Sequence, residues 1–191
     1  LEILWFSLIG AALVLDTSLV FQSLISQPLI ACTLLGWYMG DVEAGLHFGF
    51  LMQMVWLGNM PVGGSALPAG NLASITGLAV YVGIHTIFAE QPYTVLLISI
   101  FYVILLSAIG SRITIWTRMQ SVALLDRAVA SAKKGLPGGI SKVNLFSVLL
   151  NYVIYVVFII TGIIAGLYAL KKFVGILPHS WDVAARYTEM A

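Results

Sequence analysis

The sequence predicts an all-α integral membrane protein, built of several transmembrane helices plus a re-entrant hairpin. Three observations predict it. Of 191 residues, 60% are hydrophobic and only 9% charged, with a mean hydropathy of +1.01; an ordinary soluble domain carries roughly 25% charged residues. Long uncharged stretches reach the length of about 20 residues that a helix needs to cross a hydrocarbon core of about 30 Å. One of them, without formal charge between Glu43 and Glu90, is broken by GNMPVGGSALPAGNLAS at residues 58–74.

The same composition excludes other classes. Nine basic and eight acidic side chains cannot cover a soluble globule of this size. Cys32 is the single cysteine, so an internal disulfide is ruled out, and it reads as a small buried apolar residue. No Cys/His cluster has the spacing of a metal site, and no cofactor is called for. The net charge of +1 comes without a basic aromatic patch, so nucleic acid is not expected as a partner. Glu2 is the only early charge, which is not the basic start of a cleaved signal peptide, and residue 3 onward reads as mature protein.

Taken in order, residues 1–191 read as a single membrane domain. Residues 3–111 hold the first helices: 3–23 have the length of a span with Asp16 inside it, and 28–40 are apolar but too short, closed by Asp41 and Glu43. Residues 44–89 are long enough for two passes, but the broken motif cuts their middle and reads as a re-entrant hairpin near 51–74, with an ordinary loop between two helices as the alternative. Residues 93–111 form a span. Residues 112–142 contain six of the nine basic residues, which makes this segment cytoplasmic by the positive-inside rule. Within it Met119, Val122, Leu125 and Val129 recur at helical spacing, the pattern of an amphipathic helix lying on the inner surface, with a soluble helical hairpin as the alternative. GLPGG at 135–139 reads as the turn that ends it. A transmembrane helix over 144–170 follows. Lys171 and Lys172 then fall outside if that helix crosses once, or the helix bends at TGIIAG, 161–166. Residues 171–191 read as the truncated start of a further segment.

The broken segment carries the chemistry. Unpaired backbone groups in lipid cost several kcal/mol each, so irregular chain at membrane depth must face protein or a wet cavity. Transporters build midplane sites from such interruptions. Gln53, Asn59, Ser65 and Asn71 are uncharged donors and acceptors suited to hydroxyl groups, and Gly63 and Gly64 let backbone approach a ligand. Trp56 either lays its ring against a sugar or faces lipid. Asp16 is a functional candidate as an ionisable group within a span, or else marks a short first span ending at the membrane edge. His47 and His85 read as packed, hydrogen-bonded histidines.

With these residues in view, QPLIACTLLGWYMGDVEAGLHFGFLMQMVWLGNMPVGGSALPAGNLAS, residues 27–74, closely resembles the enzyme IIC subunit of the mannose–fructose–sorbose family of bacterial sugar phosphotransferase systems. TRMQSVALLDRAVASAKKG, residues 117–135, resembles the amphipathic cytoplasmic segment of the same subunit, and the likeness runs to about residue 177. The resemblance implies one half of an inverted-repeat transporter fold, multi-pass in the bacterial inner membrane. It implies a sugar substrate, lipid contact, oligomerisation, a IID-type membrane subunit, and soluble IIA and IIB partners that carry the phosphate. The chain itself is then no enzyme, and no histidine in it stands in a setting for accepting phosphate.

Two departures from the family pattern matter. The family usually has a glutamate where this chain has Gln53 and an aspartate where it has Ala69. An amide binds hydroxyls without the charge assistance of a carboxylate, and alanine does not bind them at all. Family chains also continue through a second inverted half. The expected function is movement of a hexose-like sugar for phosphorylation by partner subunits. The alternative is a structural or regulatory membrane component, derived from that family, that no longer transports. A membrane-embedded enzyme is set aside, because no HExxH, GxSxG or paired carboxylates lie in a span.

Overall fold

Apolar segments separated by capping residues fold into six helices in the computed structural model, which describes residues 2–17, 23–58, 69–133, 137–178, 181–183 and 185–186. Helix α1, Glu2–Leu15, starts with an acidic residue at the positive end of its dipole. It is about 21 Å long and stops one residue before Asp16. The expected span over 3–23 is therefore cut short, and Asp16 sits in the turn after the helix rather than inside it.

Helix α2, Pro28–Met39, has proline in its first turn, where the missing N–H is not needed. It ends in a Schellman turn: Gly40 takes φ +81°, its N–H donates to the Trp37 carbonyl, and the Asp41 N–H donates to the Gly36 carbonyl. Asp41 then caps α3, Val42–Trp56, accepting the Ala44 N–H at 2.9 Å. The two short helices are thus joined by a two-residue turn and lie against each other through glycine. A Cβ on Gly36 would stand 2.7 Å from the Gly45 Cα, one on Gly45 2.6 Å from the Cys32 carbonyl oxygen, and one on Gly49 2.7 Å from the Pro28 carbonyl oxygen. Small residues four apart permit this backbone approach. At about 18 and 22 Å, neither helix equals the thickness of a hydrocarbon core.

Helix α4, Gly70–His85, is the centre of the molecule. Thirteen of its sixteen residues are buried, so it is apolar on every side rather than along one stripe. The α2–α3 pair packs on one side of it and two long helices, α5 (Pro92–Lys133) and α6 (Pro137–Val174), on the other, with α1 lying against α6. Gly10 of α1 meets Ile75 of α4 and Ile159 of α6, while Gly162 and Gly166 let α6 approach Thr76 and Val80. The Tyr102 hydroxyl donates to the Gly162 carbonyl at 2.6 Å, and the Tyr152 hydroxyl donates to the Leu8 carbonyl at 3.1 Å. Cys32 is fully buried, as its chemistry predicts. His85 lies 5.6 Å from the Tyr81 ring, and Tyr81 stacks on Phe48 at 5.1 Å.

Two stretches among the described residues, Pro92–Val122 and Gly139–Val174, are long and apolar enough to cross a membrane. The long helices correct two expectations. The amphipathic stretch is not a separate helix: α5 runs unbroken through Ser111 and Arg112 to Lys133, and Ser121 pairs with Ser147 of α6 at 3.1 Å, so the two helices stay together beyond Arg112. Nor do residues 137–139 belong to a turn, because Pro137 opens α6 in the first-turn position that suits proline. Helix α6 also continues unbroken through 161–166, which leaves Lys171 and Lys172 in its last turn, at the negative end of the dipole.

Candidate functional site

Three polar side chains predicted from sequence converge on two residues that were not. Ser26 and Gln27 immediately precede α2. The Gln53 amide, near the end of α3, donates to Gln27 Oε1 at 3.3 Å. The Asn71 amide, in the first turn of α4, donates to Ser26 Oγ at 3.5 Å and to Thr17 Oγ1 at 3.4 Å. Asp16 accepts the Ser23 N–H at 2.9 Å, the Ser23 hydroxyl at 2.8 Å and the Ser26 N–H at 3.5 Å. One polar cluster, neutral apart from the Asp16 carboxylate, thus forms where the α1–α2 link, the end of α3 and the start of α4 meet. The glycine contact between α2 and α3 creates it, because Gly49 against Pro28 brings the Gln27 and Gln53 ends of the two helices together.

Asp16 is 8% exposed and the carboxylate's partners among the described residues lie in the link, so the carboxylate pins that link in place. Leu24, in the same link, holds a left-handed φ of +67°, a conformation costing about 1–2 kcal/mol in a residue with a Cβ. Strain of this kind persists where surrounding contacts over-determine the backbone.

Gln53 and Asn71 are half-buried, and one atom stands out. Among the described residues, Gln53 Oε1 is buried with no hydrogen-bond partner. A buried acceptor left unmet costs about 1–3 kcal/mol, which a ligand hydroxyl would recover. Trp56 resolves to a packed position, with its indole ring lying on Gly70, where a Cβ would meet it at 2.7 Å, and its N–H donating to Ser74 Oγ at 2.9 Å. The Ala69 side chain points at α5, where a Cβ on Gly110 would stand 2.9 Å away, and the Ala69 N–H donates to the Ser107 carbonyl at 3.3 Å. Asn59, Gly63, Gly64 and Ser65, with the expected tip of the hairpin, lie outside the described residues.

Ser26 and Gln27 were missed because their partners are distant in sequence. The available signal was SQP, two polar residues ahead of a first-turn proline, which marks a helix start with free side chains. Among the described residues no group of three His, Cys, Asp or Glu side chains can hold a metal ion. What the cluster offers is a set of neutral donors and acceptors in fixed directions, the chemistry of hydroxyl recognition.

Comparison with known proteins identifies the family. The family described as the PTS system sorbose-specific IIC component matches residues 1–184. The mannose-specific EIIC component of the PTS in Escherichia coli K12 is 34% identical over 125 residues, covering 65% of this chain and 44% of its own length. The fructose permease IIC component of Bacillus subtilis is 28% identical over 171 residues, covering 90% of this chain and 61% of its own. The chain therefore spans about half the length of these relatives. The cryo-EM structure of the mannose transporter ManYZ in complex with microcin E492 superposes with a TM-score of 0.73 at 25% identity, covering 98% of this chain and 73% of that one. A family match over nearly the whole sequence, together with the same helical fold, shows that the chain belongs to the sorbose-specific IIC component family of the phosphotransferase system.

Proposed function

We propose that the chain is a sugar-translocating membrane subunit, moving a hexose-like sugar to partner subunits that phosphorylate it. The unpartnered, buried Gln53 Oε1 carries this reading: it is an acceptor placed among neutral polar groups, with no ligand of its own in the fold. A sugar hydroxyl donates to Gln53 Oε1, and Asn71, Ser26 and Gln27 offer further hydrogen bonds. Asn59, Gly63, Gly64 and Ser65 complete the site from the segment between α3 and α4. Helices α3 and α4, about 22 and 24 Å long and short of a core of about 30 Å, support the reading of residues 51–74 as a re-entrant hairpin.

The chain represents one half of an inverted-repeat transporter, with several passes in the bacterial inner membrane and the joined ends of α5 and α6, around residues 112–142 with six of the nine basic residues, toward the cytoplasm. It assembles with a IID-type membrane subunit and further copies, and soluble IIA and IIB subunits perform the phosphoryl transfer. Two observations favour the second reading, a structural or regulatory component without transport: the amide at Gln53, and the Ala69 side chain committed to packing against Gly110. Uptake of labelled mannose, fructose and sorbose by cells with and without the gene separates the two. Transport predicts gene-dependent uptake of at least one sugar; equal uptake of every hexose and amino sugar at normal expression means that the chain does not transport.

A further inference from the structure

A groove of about 710 Å³ runs between α5 and α6 and shares no residue with the polar cluster. Phe101 and Leu105 of α5 and Phe173 of α6 give it an apolar lining, and Trp181 lines it from the segment after α6. That segment is fastened at one end of the groove, where Asp182 accepts the Thr94 N–H at 3.0 Å and the Arg186 guanidinium lies 5.9 Å from the Tyr93 ring centre. Thr94 also lines the groove. It is 3% exposed, yet among the described residues its hydroxyl has no hydrogen-bond partner.

Dimensions and chemistry together identify an occupant. Leu105 lies eleven residues beyond Thr94, about 16 Å along the helix, which is the depth of one leaflet of a core about 30 Å thick. Glu90 and Gln91, just before α5, mark the polar boundary. The unmet hydroxyl therefore stands at the level of lipid ester groups, with a guanidinium and a carboxylate at head-group level. A partner helix fits poorly: about 10 Å across, it would fill roughly 1,200 Å³ over that length, and its carbonyls are already bonded within the helix.

We propose that this groove holds one acyl chain of a bilayer glycerophospholipid, whose ester carbonyl accepts the Thr94 hydroxyl and whose phosphate faces Arg186. The assignment rests on α5 and α6 crossing the bilayer and is independent of sugar binding. Ala169 lines the groove from α6 and is itself exposed, so Ala169→Trp fills the space from outside without disturbing the core. Ala165 is equally exposed but does not line the groove, which makes Ala165→Trp the control.

The test is native mass spectrometry of the complex extracted from nanodiscs of phosphatidylethanolamine and phosphatidylglycerol, with helix content and monodispersity recorded for each variant. One phospholipid is expected to stay with the wild type and with Ala165→Trp, and to be absent from Ala169→Trp. In Thr94→Val its retention should fall about fivefold, as for a lost neutral hydrogen bond. Equal lipid retention by folded wild type and Ala169→Trp overturns the proposal. So does loss of a subunit, rather than of lipid, from Ala169→Trp, which would make the groove a protein contact.

Discussion

Replacing Gln53 by leucine is expected to abolish detectable sugar binding while leaving the assembled complex intact. Leucine nearly preserves the volume of the side chain but removes both amide atoms, so the bound sugar loses its acceptor and Gln27 Oε1 loses its donor. Stranding a buried hydroxyl costs about 1–3 kcal/mol, and the loss of orientation at Gln27 adds to it, so affinity falls by roughly 100-fold. Gln53→Glu acts in the opposite direction, because an ionised carboxylate accepts hydroxyl bonds about twice as strongly as an amide. Calorimetry with the purified complex, titrated with mannose, reads both changes. Leucine binding as well as glutamine, in an intact complex, would mean that the sugar lies elsewhere.

The second large effect comes from a residue with no polar atoms. In Gly45→Leu the first added carbon already falls 2.6 Å from the Cys32 carbonyl oxygen and 2.8 Å from the Gly36 Cα. Both are backbone, so nothing can rotate aside and α2 must move off α3. Overpacking typically costs about 1–3 kcal/mol, and a whole leucine between two touching backbones exceeds that range, so the variant is expected not to accumulate as a monodisperse protein. Gly45→Ala, carrying the same first carbon, should accumulate but melt at lower temperature. Gly58→Ala, with nothing among the described residues within 4 Å of the new carbon, should behave as wild type. Size-exclusion profiles of tagged protein and thermal melts compare the three. Normal accumulation of Gly45→Leu would show that α2 and α3 do not pack through glycine.

What was legible in the sequence, and what was not, follows from the range of the interactions involved. The turn at Gly40–Asp41 is a local event, a left-handed glycine followed by a capping carboxylate, and both residues announce it. The apolar spans in α5 and α6 are legible for the same reason, since each is a continuous run of sufficient length. The course of residues 112–133 is not, because an apolar stripe at helical spacing looks the same on a membrane surface and on the continuation of a span. What decides it is the absence of any break at Ser111–Arg112, together with contacts to α6 such as Ser121 with Ser147.

Gln53 and Asn71 were visible as neutral polar residues in an apolar field. Their partners were not, because each pairing is made between separate elements across a bundle held by Gly36, Gly45 and Gly49. Trp56 shows the limit of reading one residue alone. Its ring suited either a sugar or lipid, whereas Gly70 and Ser74 on another helix provide the surface it occupies. Asp16 is a similar case: hydropathy extended the first span past it, but α1 stops at Leu15 and the carboxylate turns to the link.

A single central claim joins these features: a sugar hydroxyl sits on Gln53 Oε1, at the meeting of the α1–α2 link, α3 and α4. The most direct test is a cryo-EM structure of the chain in its native complex with a bound sugar, mannose being the first choice. Sugar density within hydrogen-bonding distance of the Gln53 and Asn71 side chains is the predicted result. Density at another place in the chain, with Gln53 Oε1 still unpartnered, would contradict it.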